Sequence, residues 1–273
     1  MTVITCRQLS PAVGDLYGNH ELIVDAIAGA TAGGADIVVL PELATSGYMF
    51  DSPTEARACA ITAADPRLSA WSSAITGDSV AIVGFAELGQ DGSVYNSAAV
   101  VDRDGVRAVY RKAHLWDREK LVFQPGSHVP PLIETIHGRI AVMICYDLEF
   151  PEFTRMAALA GADLLAVPTN WPLVERPEGE RPPEVLIGQA AARVNHLAVA
   201  CCDRSGTERE QQWTQGTTII DHNGWIVTGL GGDQTVELDL TLGRSKRLTE
   251  RSDLFLDRRP ELYGPLVEGP RQH

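Results

Sequence analysis

The sequence has little of what membrane, secreted and nucleotide-binding proteins need. No apolar run approaches the ~20 residues of a membrane-spanning helix, so no membrane partner is expected. The amino terminus, Met1-Thr-Val-Ile-Thr-Cys-Arg-Gln8, has no basic region followed by an apolar one, and the expectation is a protein without a signal peptide. The five cysteines (Cys6, Cys59, Cys145, Cys201 and Cys202) are odd in number and form neither a C-x-x-C pair nor a spaced Cys/His array. That pattern argues against a disulfide framework and a structural zinc site, and it implies reduced thiols and a cytoplasmic location. Positive charge is scarce: 23 Lys and Arg against 36 Asp and Glu give a formal net charge of −13. This disfavours nucleic acid and anionic membrane surfaces as partners and suits neutral or cationic small molecules. No G-x-G-x-x-G follows the first strand-like run, so a nucleotide cofactor is not expected.

What is there reads as one large α/β domain over residues 1–273, long enough to bury an ample core without staples. Val3 to Cys6 is strand-like. Asn19 to Ala32 carries apolar residues at helical spacing until Gly33-Gly34 stops it, and Ile37 to Leu40 is a buried strand. Arg57 to Ala74 predicts a helix with a boundary near Pro66. Val80 to Phe85, Tyr95 to Asp102 and Val106 to Tyr110 predict strands, the last two joined by a tight turn, which makes the sheet mixed. Ile140 to Ile144 is an unbroken apolar run suited to a central strand covered on both faces. Helix follows from Phe153 to Gly161, strand from Asp163 to Val167, helix from Val185 to Asn195 and strand from Leu197 to Cys202. A hairpin is expected over Thr217 to Thr228 and a last strand over Val236 to Leu240. The tail from about residue 245 is expected to pack on the domain or on a second subunit.

Cys145 stands where the Ile140 to Ile144 strand runs out, the place where open α/β sheets put their chemistry, although free cysteines are also among the most buried of residues. Glu42 repeats that placement after Leu40-Pro41, and Lys112 ends the strand that closes at Tyr110. Together they supply what nucleophilic acyl transfer needs: a thiol to attack, a carboxylate to take its proton, and a cation beside the developing oxyanion. A neighbouring ammonium also favours thiolate over thiol. His114 is an alternative base, but nothing nearby in sequence orients it.

These residues resemble the nitrilase superfamily of carbon–nitrogen hydrolases. The matching stretches are Leu40-Pro-Glu42-Leu-Ala-Thr-Ser-Gly-Tyr48, Tyr110-Arg-Lys112-Ala-His-Leu115 and Ile144-Cys145-Tyr-Asp-Leu-Glu-Phe-Pro-Glu152, supported by Pro168-Thr-Asn170-Trp171 and Arg193-Val-Asn195. The resemblance implies a four-layer α-β-β-α sandwich with two mixed sheets, pairing across subunits into an eight-layer homodimer, with no metal and no organic cofactor. It implies a Glu42, Lys112, Cys145 triad, with Glu119 as a second glutamate beside the lysine. Asp203-Arg204-Ser-Gly206 and Trp213-Thr-Gln-Gly216-Thr217 depart from the family pattern and blur the choice of subfamily.

The chemistry expected is amide hydrolysis through a cysteine thioester, with the backbone N–H of Tyr146 as a further oxyanion donor. Nitrile-cleaving relatives usually carry Trp after the nucleophile, and Tyr146 stands there instead. Carbamoyl amino acid hydrolases place arginines just beyond it, where this chain has Leu148-Glu149. A small aliphatic amide is therefore the leading substrate, with N-carbamoylputrescine-like compounds second and nitriles a further alternative. Tyr48, Trp116, Tyr146, Asn170 and Trp171 are the candidate substrate contacts. Glu149 reads equally well as an acid at a helix start. A different class of function, a non-catalytic binding or assembly protein on the same scaffold, stays open at this stage.

Overall fold

The computed structural model describes residues 1–268. In chain order the elements are β1 (Thr2–Cys6), α1 (Leu16–Ala32), β2 (Ile37–Val39), α2 (Pro53–Ala58), α3 (Pro66–Ser73), β3 (Val80–Leu88), β4 (Val94–Asp102) and β5 (Gly105–Arg111). There follow β6 (Leu132–Thr135), β7 (Gly138–Val142), α4 (Pro151–Ala160), β8 (Leu164–Pro168), α5 (Pro183–Asn195) and β9 (Ala198–Cys202). The last are β10 (Thr207–Glu208), β11 (Gln211–Gln212), β12 (Thr218–Ile220) and β13 (Gln234–Leu238).

The two larger sheets are both mixed. The first runs β13-β1-β2-β3-β4-β5, with β1, β2 and β3 parallel and the others antiparallel. The second runs β12-β9-β8-β7-β6, with β7, β8 and β9 parallel and an antiparallel strand on each edge. Successive side chains of a strand point to opposite faces, and the burial follows that period. Ile37, Val39, Ile82 and Val100 join Val142, Leu164 and Ala200 in the core between the sheets. Val38, Ala81, Val83 and Val101 instead meet Ile23 and Ile27 of α1 and Trp71 of α3 on the outer face. With Phe153 and Ala157 of α4 and Val185 and Ala192 of α5 packed on the second sheet, the layers are α-β-β-α, as the resemblance implied.

Several local expectations need correction. The helix expected over residues 57–74 does divide near Pro66, where Asp65 caps α3, but its first part is short and starts earlier, at Pro53, with Ser52 capping α2 through Glu55 N at 3.2 Å. Between them Ile61 donates its N–H to Ala86 O at 2.9 Å, an edge contact that a continuous helix would forbid. The central strand stops at Val142, so Met143 and Ile144 separate it from Cys145, which opens a 3₁₀ turn (Cys145–Glu149). The hairpin expected over Thr217 to Thr228 has strand only in β12, whose partner is β9, with a single bridge from Ile220 to Ile226. Strand β6 was not anticipated, and the tail of the chain from residue 269 lies outside the described residues. Within the described part of the tail, Phe255 packs against the main core cluster.

Candidate active site

Glu42, Lys112 and Cys145 all follow strands, and the fold brings them to one place. Glu42 sits in the turn after β2, which approaches β3 so closely that a Cβ on Gly84 would lie 2.4 Å from Pro41 O and 2.6 Å from the Glu42 Cα. Only glycine fits there. Lys112 follows β5 directly and is held by its own N–H, which donates to Asn96 O on β4 at 2.8 Å. Cys145 adopts φ 47°, a left-handed conformation uncommon outside glycine, which turns the chain sharply beyond the strand.

The side chains of Glu42 and Lys112 are fully buried, and Glu119, in a 3₁₀ turn (Asp117–Leu121) of the long charged connection, is nearly so. The Lys112 ammonium donates to Glu42 Oε1 at 2.7 Å and to Glu119 Oε1 at 2.8 Å. Asn96 Nδ2 donates to the same two atoms, at 2.7 Å and 3.1 Å. Glu119 Oε2 accepts the Trp116 N–H at 2.7 Å. Glu42 Oε2, by contrast, is buried without a hydrogen-bond partner among the described residues. Asn170 joins the two sides of the cluster: its Nδ2 donates to Glu42 O at 2.9 Å, and its carbonyl oxygen lies 4.0 Å from Cys145 Sγ.

One ammonium faces two carboxylates here, so one negative charge is surplus in a medium that solvates it poorly. Burial therefore pushes the Glu42 carboxyl up to about 7, with the neighbouring Glu119 charge adding to the rise and Lys112 and Asn96 opposing it. For Lys112, burial works against the charged form, but Glu119 and Glu42 outweigh it and hold the pKa well above its ordinary value. The Cys145 thiol is pushed well up by burial and by the Glu42 charge, against the pull of Lys112. Against the expectation of a thiolate favoured by the lysine, burial and the Glu42 charge outweigh the ammonium.

His114, for which no orienting partner was visible, has one. Asp147, fully buried, pairs with His114 Nδ1 at 2.8 Å and also accepts from His114 N at 2.9 Å, Tyr110 OH at 2.8 Å and Ile144 N at 3.1 Å. The imidazole stacks on Phe150 with ring centroids 3.7 Å apart. The pair therefore ties the lysine segment to the cysteine turn. Sequence reasoning passed over both Asp147 and Asn96, although a polar Asn96 inside the apolar run of β4 was a readable signal.

The expected substrate contacts divide. Trp116 is 41% exposed and meets the half-buried Tyr146 edge to face at 4.9 Å. Tyr48 is half-buried against Trp213 at 5.5 Å, and its phenol is held neutral by burial and by the Glu119 and Glu42 charges. Asn170 lies inside the cluster, whereas Trp171 is buried in the main core, where a Cβ on Gly216 would come within 3.0 Å of its ring. A cavity of about 30 Å³ adjoins Glu119, lined by Tyr48, Phe50 and Phe123 among others. The larger surface clefts, about 610 Å³ beside Arg139 and Arg244 and about 660 Å³ beside Glu87 and Arg111, contain none of the candidate residues. Among the described residues no group of His, Cys, Asp and Glu side chains is placed to hold a metal ion, and no helix is long and apolar enough to cross a membrane.

Comparison with known proteins bears on what such a cluster is for. The family model described as carbon-nitrogen hydrolase matches residues 3–247. A nitrilase of Pyrococcus abyssi is 30% identical over 268 residues, covering 96% of this chain and 99% of its own. An (R)-stereoselective amidase of Pseudomonas sp is 32% identical over 272 residues, covering 96% and 93%. Among solved structures, a mutant of the amidase from Nesterenkonia sp. AN1, showing the Michael addition of acrylamide at its active-site cysteine, superposes with a TM-score of 0.79 at 26% identity. The superposition covers 98% of this chain and 100% of that one.

Proposed function

The chain belongs to the carbon–nitrogen hydrolase family, and from that premise we propose that it hydrolyses a small aliphatic amide to the acid and ammonia through a thioester on Cys145. The observation that carries this reading is the buried, unpartnered Glu42 Oε2 in a cluster whose charges act on the Cys145 thiol. A carboxylate poised near neutrality suits a general base that must later return its proton. Glu42 takes the thiol proton as Sγ attacks the amide carbon. The oxyanion is met by the Lys112 ammonium and the Tyr146 N–H, and Glu119 holds the lysine in place. Glu42 then gives its proton to the leaving nitrogen and ammonia departs. Water, deprotonated by the same carboxylate, adds to the thioester, and Cys145 leaves with the proton restored. Tyr48, Trp116, Tyr146 and Asn170 are assigned to the walls around the substrate, and Trp171 packs behind them in the core. Work in a homodimer of single-domain subunits is part of the same proposal.

The acrylamide adduct of the Nesterenkonia amidase supports a short amide as the class of substrate, and Tyr146 in place of Trp disfavours a nitrile. A second reading, an N-carbamoyl amine, draws on Glu149. Burial and the charge of Glu184 raise its pKa while Lys112 lowers it, so an acidic edge lies within electrostatic reach of the lysine, suited to an ammonium group. An ammonia-release screen over short amides, carbamoyl amines and nitriles separates these readings. Release from acetamide-sized and butyramide-sized amides supports the first, and release from carbamoyl amines alone supports the second. Silence across all three with a folded protein would leave the non-catalytic scaffold.

A further inference from the structure

Asn96 is a buried polar side chain to which the mechanism above gives no task. It lies in β4 between Tyr95 and Ser97 and is 1% exposed. Burying an amide is unfavourable unless its hydrogen bonds are made, and Asn96 makes them at one end only. Its Oδ1 has no partner among the described residues, while Nδ2 donates to Glu42 Oε1 and Glu119 Oε1. Packing alone would favour an apolar residue at this position. The geometry instead repeats that of Lys112: the ammonium and the amide grip the same two oxygen atoms, one as a charge and one as a neutral dipole. The Asn96 carbonyl also accepts the Lys112 N–H, so one residue fixes the lysine backbone and both carboxylates.

We infer that Asn96 is a positioning residue for the proposed hydrolysis: by saturating Glu42 Oε1 together with Lys112, it leaves Oε2 as the basic atom and keeps the surplus carboxylate ionised in a buried site. The inference rests on the reading of Glu42 as the general base. Donation to a charged acceptor is stronger than donation to a neutral one, and it lowers the carboxyl pKa that burial raises. The groups facing Glu42 are Lys112 at the end of β5, Glu119 in the following turn, Cys145 beyond β7 and Tyr48 in its own loop. Lys112, Cys145 and Tyr48 are all held well above their ordinary values, so they keep their protons through the neutral range.

The test is kcat/KM against pH on the best amide of the screen, for wild type, Asn96→Leu, Asn96→Asp and Ser97→Ala, each checked for folding by circular dichroism. Asn96→Leu removes the donor at similar volume and moves the acid limb up by about one pH unit, about a tenfold loss below the limb with a much smaller loss above it. Asn96→Asp keeps the native shape and guards against a misfolded leucine variant; its added carboxyl moves the limb at least as far. Ser97→Ala, whose lost hydroxyl donates to Glu87 at 2.6 Å on the other face of the strand, leaves the limb in place. A uniform loss at all pH values in a folded Asn96 variant would overturn the inference. A wild type that releases no ammonia would overturn the reading of the site instead.

Discussion

Among the described residues, two ion clusters have charges buried on both sides, and they are built differently. In the first, Lys112 meets Glu42 and Glu119. In the second, Arg204 meets Glu208 at 2.8 Å, with both side chains buried. In the second cluster nearly every lone pair and donor is used. Glu208 Oε1 takes the guanidinium, and Oε2 takes Tyr48 N at 2.9 Å and Met49 N at 2.7 Å. Arg204 donates again to Pro11 O at 2.7 Å, and its plane lies 4.8 Å from the Trp213 ring centroid. Charges balance one to one, and the pair serves as a frame for the loop that carries Glu42 and Tyr48. In the first cluster the charges are one against two and Glu42 Oε2 is unpartnered. Burial is common to both; the unsatisfied oxygen and surplus charge mark the one suited to chemistry.

Breaking each cluster in turn sharpens this contrast. The largest effect belongs to Glu42→Gln, which keeps the shape and removes the base: kcat for ammonia release falls by on the order of a thousandfold, while the unfolding midpoint holds or rises because a surplus buried charge is gone. A variant with both quantities depressed would put the two clusters in the same class. Next, Arg204→Ala strands the Glu208 carboxylate, and urea denaturation shows a loss of about 3–5 kcal/mol. An unchanged midpoint there would mean that the second cluster is not a frame. The pH dependence comes third. The Glu42 carboxyl is raised to about 7, so its ionised form exists above that pH; kcat/KM therefore falls about tenfold per unit as the pH drops below about 7 and levels off above it. An acid limb near the ordinary glutamate value would contradict the surplus-charge account. The smallest effect is that of Glu149→Gln, at the exposed acidic edge. It raises KM for an amine-bearing amide by about two- to fivefold and leaves a neutral amide unaffected, as suits a solvent-screened charge pair.

Much of this was readable from the chain because strand ends announce themselves. Apolar runs ending at Leu40 and Ile144 put Glu42 and Cys145 just past the ends of their strands, and the unbroken apolar character of those runs already implied cover on both faces. The frame was harder to see. Asn96 and Glu42 are 54 residues apart and Asp147 and His114 are 33 apart, so their pairing depends on which strands lie side by side. The boundary near Pro66 was legible, but the course of 59–65 and of 217–228 was not, for a similar reason: local periodicity cannot show that Ile61 finds an edge partner at Ala86 or that β12 pairs with β9. The ionisation of Cys145 was misjudged because sequence shows the neighbouring lysine but not the burial that outweighs it.

The central claim is that the thiol at the left-handed turn after β7 is the attacking group. Steady-state ammonia release by Cys145→Ala, on the amide that wild type turns over fastest and with folding verified by circular dichroism, tests it most directly. The account predicts release at the uncatalysed background. Turnover within tenfold of wild type by the folded variant would contradict it.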